Sequence, residues 1–433
     1  MSDYADTIIL GGGLSGLSLA RFLEGKDCLI LEAEERPGGL CRSFQTDGFT
    51  YDIGGHILFS RDQELLQTLL SWLGDNLLTQ RRNNQIWFRD RFVKYPFEND
   101  LAALNKEDAF ACLMGFLERK ADGVPTNLEE WSRFRFGDGI SDKYLLPYND
   151  KIWKRASKDI SVHWVERIPS PPLEDVVKSA LGIETEGYTH QLNFYYPKQG
   201  GIEALIHSLA ENAPLTTGFR VNKIKKTSDG WEVSDGKRIY GCRNLVSTIP
   251  VFHLLRYLEG TPKSVLETAE KLIYNSLILV MLGVGHEGLM DKSAIYMPDP
   301  ERLPHRVCYM SYFSPQNAPA GSSNLVAEIT VHPDDALLKA DDGELVERTL
   351  NDVADLCGIK ANEVTTSEVR RIPHAYVIYD LDYQKNRDAL YDYLDGLGLH
   401  TCGRWGSFEY LNMDQCVDRA RQLAGRLKCA PSL

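Results

Sequence analysis

Glycines at positions 11, 13 and 16, an acid at 32 and a second glycine pair at 38 and 39 stand where a chain could cradle the phosphates of a dinucleotide. Gly11, Gly13 and Gly16 have the spacing GxGxxG. In that pattern the first glycine makes a tight turn, the second lets backbone approach a pyrophosphate, and the third lets a helix pack on the preceding strand. The phosphate then rests on the positive end of the helix dipole. Glu32 follows roughly twenty residues later, where a carboxylate accepts hydrogen bonds from the adenosine ribose hydroxyls. The same carboxylate would repel a 2′-phosphate, which argues against NADP.

Such a turn needs a buried strand before it and a helix after it. Thr7 to Leu10 is short and apolar, and Leu17, Leu19, Ala20, Phe22 and Leu23 give an apolar helical face. Cys28 to Leu31 reads as the next strand and ends at Glu32. Arg36-Pro37-Gly38-Gly39-Leu40-Cys41-Arg42 looks like the extension that separates FAD-binding chains from NAD-binding ones, so FAD is the expected cofactor, with Gly39, Leu40 and Arg42 beside it. Farther on, Gly54-Gly55-His56 interrupts the apolar stretch Phe49 to Ser60. A paired glycine there predicts a bulge or a close approach of backbone to something flat, such as an isoalloxazine ring. His56 on that loop is placed to orient or respond to the flavin.

The remaining segments divide by pattern. From about 95 to 190, Leu101, Leu104, Phe110, Leu113, Phe116 and Leu117 recur at helical spacing. Residues 194 to 250 return to the nucleotide sheet, with strands expected at Phe219 to Ile224, Trp231 to Val233, Arg238 to Tyr240 and Leu245 to Pro250. Leu277 to Val284 and Leu325 to Val331 read as buried strands of a further mixed segment. The expected fold is α/β: a Rossmann-like FAD-binding domain, an inserted helical domain and a mixed α+β substrate domain. The FAD-binding domain is discontinuous over 1–94, 194–254 and 366–433; the helical substrate-cleft domain covers 95–193 and the sheet-containing substrate domain 255–365.

Composition narrows the function classes. The 433 residues carry 48 Lys plus Arg against 61 Asp plus Glu, a formal charge of −13, which argues against a nucleic-acid binder or a polybasic membrane anchor. The longest apolar run, Leu277 to Val284, is too short to span a bilayer, and no leader pattern precedes the first strand. The nine cysteines are scattered without a CxxC pair, and the ten histidines show no HxxxH or HExxH spacing. The expectation is a cytoplasmic protein without disulfides or a bound metal.

Further motifs carry a family resemblance over nearly the whole chain. GGGLSG at 11–16, GGHILFS at 54–60, KYPFEN at 94–99, PYNDKIW at 147–153, WVERI at 164–168, the stretch Tyr296 to Arg306, HAYVIYD at 374–380 and GRWGSFEYLNMD at 403–414 occur in an order that resembles the UDP-galactopyranose mutases, flavin-dependent nucleotide-sugar mutases. The resemblance implies an isomerase that interconverts pyranose and furanose forms of a nucleoside-diphosphate sugar, supplying galactofuranose for cell-surface polysaccharide. It implies FAD that is active when reduced, its N5 attacking the anomeric carbon while the diphosphate leaves. Such a leaving group needs fixed cationic donors, and arginine suits because its planar fork grips two phosphate oxygens.

The residues follow from the same resemblance. Arg167 and Arg306 stand where the family places its diphosphate arginines. Tyr296, Tyr376 and Tyr410 match its phosphate-contacting tyrosines, Asn149 and Trp153 its cleft-lining residues, and Tyr95 and Phe97 its nucleobase sandwich. His56 matches the histidine beside the flavin N5 edge, and Arg404 and Asn412 match groups at the pyrophosphate and pyrimidine end of FAD. Ser15, Gly55 and Val221 complete the implied cofactor contacts. Partners are then a nucleoside-diphosphate sugar and a reductant or reductase for the flavin, with homo-oligomerisation through the helical insertion.

Two positions depart from the family. Phe313 replaces a further phosphate-binding tyrosine, and Glu98 replaces a glutamine that reads the uracil edge. A carboxylate accepts but does not donate, which weakens the case for uracil. The alternative is an FAD-dependent amine or protoporphyrinogen oxidase-like enzyme, which shares the glycine turns but has no diphosphate to neutralise.

Overall fold

The computed structural model describes residues 3–24, 26–119, 123–167, 170–185, 192–289 and 291–429. Two seven-stranded sheets organise them. The first is a nucleotide-binding sheet. Its central strand, Asp3–Leu10, pairs in parallel with Cys28–Leu31 on one side and Ile239–Ser247 on the other. Parallel strands buried on both faces read as continuous apolar runs, which is what Ile8, Ile9, Leu10, Leu29, Ile30 and Leu31 provide. An antiparallel hairpin, Lys223–Thr227 with Gly230–Ser234, extends one edge. The strands expected separately at Arg238 to Tyr240 and Leu245 to Pro250 form one strand, and Phe219 to Asn222 precede rather than join the hairpin.

The second sheet runs in the order Val364–Val377, Tyr274–Val284, Ser323–Val331, Arg306–Tyr309, Ala294–Tyr296, Asn84–Phe88, Arg91–Lys94. Its pairings are antiparallel except that of Asn84–Phe88 with Ala294–Tyr296. Strands 84–88, 91–94 and 364–377 therefore hydrogen-bond across the segment limits expected at 94 and 366.

Side-chain alternation decides what this sheet presents to each side. Ile278, Val280, Leu282 and Val284 enter one apolar cluster with Leu345, Val353 and Leu356 of the helix Asp342–Cys357. Leu277, Leu279 and Met281 enter another, shared with the first helix. On neighbouring strands Val307, Tyr309, Leu325, Ala327 and Ile329 follow the helix-covered face. The same alternation turns Arg306, Cys308 and Glu328 to the opposite face, toward the groove between the two sheets.

The 95–193 segment contributes the α-helices Lys106–Leu117, Leu128–Ile140, Leu146–Trp153 and Leu173–Ala180, which pack on one another and, through Leu146–Trp153, on strand Ser323–Val331 of the second sheet. Phe110 and Leu117, expected on the buried face of the first of these, are exposed, while Cys112 and Phe116 are buried. Among the described residues no helix is long and apolar enough to cross a membrane, and no group of three or more potential metal ligands occurs.

Candidate active site

The glycine turn is built by close backbone contact. Gly11 has φ +103°, and a side-chain carbon at Gly16 would lie 2.0 Å from the Gly11 carbonyl oxygen. Only glycine lets the helix Leu14–Phe22 start this close to the strand. Glu32 sits at the end of the second strand, where the backbone N–H of Gly12 donates to Oε2 at 2.6 Å and that of Glu34 to Oε1 at 2.9 Å. The carboxylate is thus locked at the rim of the turn.

A groove of about 540 Å³ runs from this turn. Gly11, Gly13, Ser15, Glu32, Gly39, Leu40, Arg42, His56 and Arg404 line it, joined by Thr248, His374 and Trp405 from the other side. Gly16 lies behind the turn as a packing glycine. Val221 does not line the groove: it is buried in the apolar cluster around Phe219, Ile224 and Trp231. Two buried ring nitrogens on residues that line it, Nδ1 of His56 and Nε1 of Trp405, have no hydrogen-bond partner among the described residues. A groove with a glycine-turn phosphate cradle, a fixed ribose-binding carboxylate and orphaned polar atoms fits FAD.

A second cavity of about 270 Å³ opens against the groove and shares Leu40, Ile53, His56, Arg404 and Met413 with it. Tyr95, Tyr296, Arg306, Tyr376, Tyr410, Asn412 and Gly55 line this cleft. Tyr95 stacks on Tyr296 with ring centroids 4.9 Å apart, and Tyr376 on Tyr410 at 5.9 Å. The Arg404 guanidinium lies 4.9 Å from the Tyr410 ring centroid and is held by the Leu411 carbonyl. Arg82, which no motif singled out, also lines the cleft, over the ring of Phe59. Phe313 lines it as well and packs against Phe194 and Tyr196, apolar where a hydroxyl was wanted.

Three expected site residues stand behind the cleft. Phe97 is fully buried and stacks on Tyr144, so it backs the wall and leaves no face for a nucleobase. Asn149 spends its amide on the Leu145 carbonyl and its carbonyl on Trp153 Nε1, both within the helix Leu146–Trp153 and its entrance. Trp153 is buried edge-on behind Tyr376 and Tyr410. These side chains support the cleft without lining it. Arg167 ends the short turn Val162–Arg167, and its side chain lies outside the described residues. Glu98 is buried away from the cleft lining, and burial pushes its carboxyl up to about 7.

Electrostatics centres on Arg306. Its Nε and Nη2 donate to Oε1 and Oε2 of Glu328 at 2.8 and 2.7 Å. Glu328 is directly opposite in the strand register and fully buried. Burial works to raise its pKa, but the Arg306 guanidinium more than offsets that and holds the carboxyl near 2. The Tyr376 hydroxyl donates to Glu328 Oε2 at 3.1 Å, and the Gly55 N–H to Oε1 at 3.3 Å. A side-chain carbon at Gly54 would lie 3.1 Å from Glu328 Oε2 and one at Gly55 2.6 Å from Cys308 Sγ. The glycine pair thus admits close approach to this carboxylate and thiol. His56 is held neutral, its pKa lowered to about 4 by burial and then by Arg404.

Comparison with known proteins agrees with this geometry. The family of flavin containing amine oxidoreductases matches residues 14–427. The chain belongs to that family. Its cofactor is FAD and its fold the family's FAD-binding Rossmann-type architecture. A crystal structure of reduced UDP-galactopyranose mutase is similar with TM-score 0.89 and 25% identity, covering 99% of this chain and 96% of that one. A putative protoporphyrinogen oxidase from Exiguobacterium sp. 255-15 is similar in fold with TM-score 0.78 and 18% identity, over 100% of both chains. A zeta-carotene-forming phytoene desaturase from Myxococcus xanthus is 32% identical over 152 residues, 32% of this chain but 29% of the desaturase. The chain spans less than a third of that relative.

Proposed function

We propose that this flavoenzyme interconverts the pyranose and furanose forms of a nucleoside-diphosphate sugar, as a UDP-galactopyranose mutase-like isomerase. The carrying observation is a flavin groove that opens directly into a cleft lined by Arg82, Arg306 and Arg404 with the hydroxyls of Tyr296, Tyr376 and Tyr410. Reduced FAD would supply a nucleophilic nitrogen at that junction. The chain's own task is to hold the departing diphosphate. Arginine N–H groups and the phenol O–H groups of Tyr296 and Tyr410 do this by charge-assisted and neutral hydrogen bonds where negative charge develops, while the Tyr376 O–H is given to Glu328. His56, neutral and at the junction of both cavities, adds no charge beside the reacting sugar. The likeness to the mutase structure at 25% identity supports this reading.

The second reading is an amine or protoporphyrinogen oxidase-like oxidoreductase. One observation favours it: Glu328 already neutralises Arg306, so the cleft is less cationic than its arginines suggest. The two readings separate in an anaerobic assay of dithionite-reduced protein with UDP-galactose. Exchange of ring forms without stoichiometric consumption of reductant supports the mutase. Peroxide release from the oxidised protein with an amine or porphyrinogen, and no exchange, overturns it.

A further inference from the structure

Glu328 is an acid in the middle of a strand, Ser323–Val331, whose nine residues are all buried. It accepts two hydrogen bonds from Arg306 and others from the Tyr376 hydroxyl, the Gly55 N–H and, at 3.4 Å, the Cys308 thiol. These donors fill its lone pairs and fix it in place. Arg306 has five N–H groups, and Glu328 takes only the Nε and one Nη2 hydrogen. The remaining N–H groups are not used by Glu328, and Arg306 lines the cleft.

Resting on the mutase reading, we propose that Glu328 is the resting counter-ion of this cleft. It neutralises and orients Arg306 when no ligand is present, and an anionic ligand shares the guanidinium by taking its remaining N–H groups. Because Glu328 is saturated, it stays while the ligand comes and goes. Its negative charge behind Arg306 therefore weakens diphosphate binding and lets the product anion leave. Glu328 is a positioning and affinity-setting residue with no contact to the reacting atoms.

The test is calorimetric titration of the oxidised, FAD-loaded protein with UDP and with inorganic pyrophosphate. Glu328→Gln keeps the volume and removes the charge, and should lower both dissociation constants on the order of tenfold. Glu328→Asp keeps the charge and should stay within about threefold of wild type. Unchanged or weaker binding in E328Q at full flavin content overturns the proposal, as does tightening in E328D that equals E328Q. If E328Q does not retain FAD, the double variant R306Q/E328Q removes both buried charges together. It should bind pyrophosphate more tightly than R306Q alone, and equal or weaker binding overturns the proposal. Failure of the wild type to isomerise UDP-galactose would sink the mutase reading alone, since pyrophosphate still reports on Arg306. Absence of anion binding in both wild type and E328Q would sink the counter-ion.

Discussion

Arg306 carries its partner with it, and that changes what its removal does. Taking one member from a buried ion pair leaves the other charge uncompensated, at a cost of about 3–5 kcal/mol. Arg306→Ala should therefore lower the unfolding free energy by that order as well as turnover by more than about tenfold. Denaturant unfolding and the reduced-enzyme assay measure the two; wild-type stability would show that the Glu328 pair is not the buried contact described. Glu98 gives a pH-dependent counterpart. Its folded pKa of about 7 lies above its ordinary 4.5, so its contribution is fully present below pH 4.5 and lost as pH rises through 7. Glu98→Gln should match wild type at pH 4.5 and exceed it at pH 8 by up to about 3 kcal/mol. Thermal midpoints across that range check the sign, and a variant less stable at pH 8 would contradict it. Much of the cleft was legible residue by residue: Tyr95, Tyr296, Arg306, Tyr376, Tyr410 and His56 all face it. Phe97, Asn149 and Trp153 sit one layer behind, because a motif fixes a neighbourhood in the chain and not the face a side chain takes. Glu328 was missed although a visible signal existed, a lone acid amid Leu325, Val326, Ala327 and Ile329. Arg82 gave no such signal.

At the scale of elements, the strand–glycine–helix unit was readable because each part constrains the next within a few residues. Gly16→Ala tests it: its added carbon would fall 2.0 Å from the Gly11 carbonyl oxygen. The variant should lose FAD, read as absorbance per protein after purification. Full flavin content would contradict the close contact. The buried strands Tyr274–Val284 and Ser323–Val331 were also readable from continuous apolar runs. Their partners were not. Strands 84–88 and 364–377 join the same sheet from far along the chain, through backbone pairing that no local pattern encodes. That long-range pairing brings Arg306, Cys308 and Glu328 onto one face beneath the Gly54-Gly55 loop.

At the scale of the molecule, two sheets and a helical segment frame a groove that fits a dinucleotide and a cleft beside it, meeting at His56 and Arg404. On the proposed reading, in a chain of net charge −13 the gathering of Arg82, Arg306 and Arg404 in that cleft is the feature that would select an anionic partner. On the proposed reading the cleft holds a diphosphate while its bond to the sugar is broken and remade. Positional isotope exchange tests this most directly, using UDP-galactose labelled with oxygen-18 in the bridge between sugar and phosphate. With the reduced protein the label should scramble into the non-bridging oxygens of the β-phosphate, and with the oxidised protein it should stay in place. A label that remains in the bridge with fully reduced, FAD-replete protein would contradict the account.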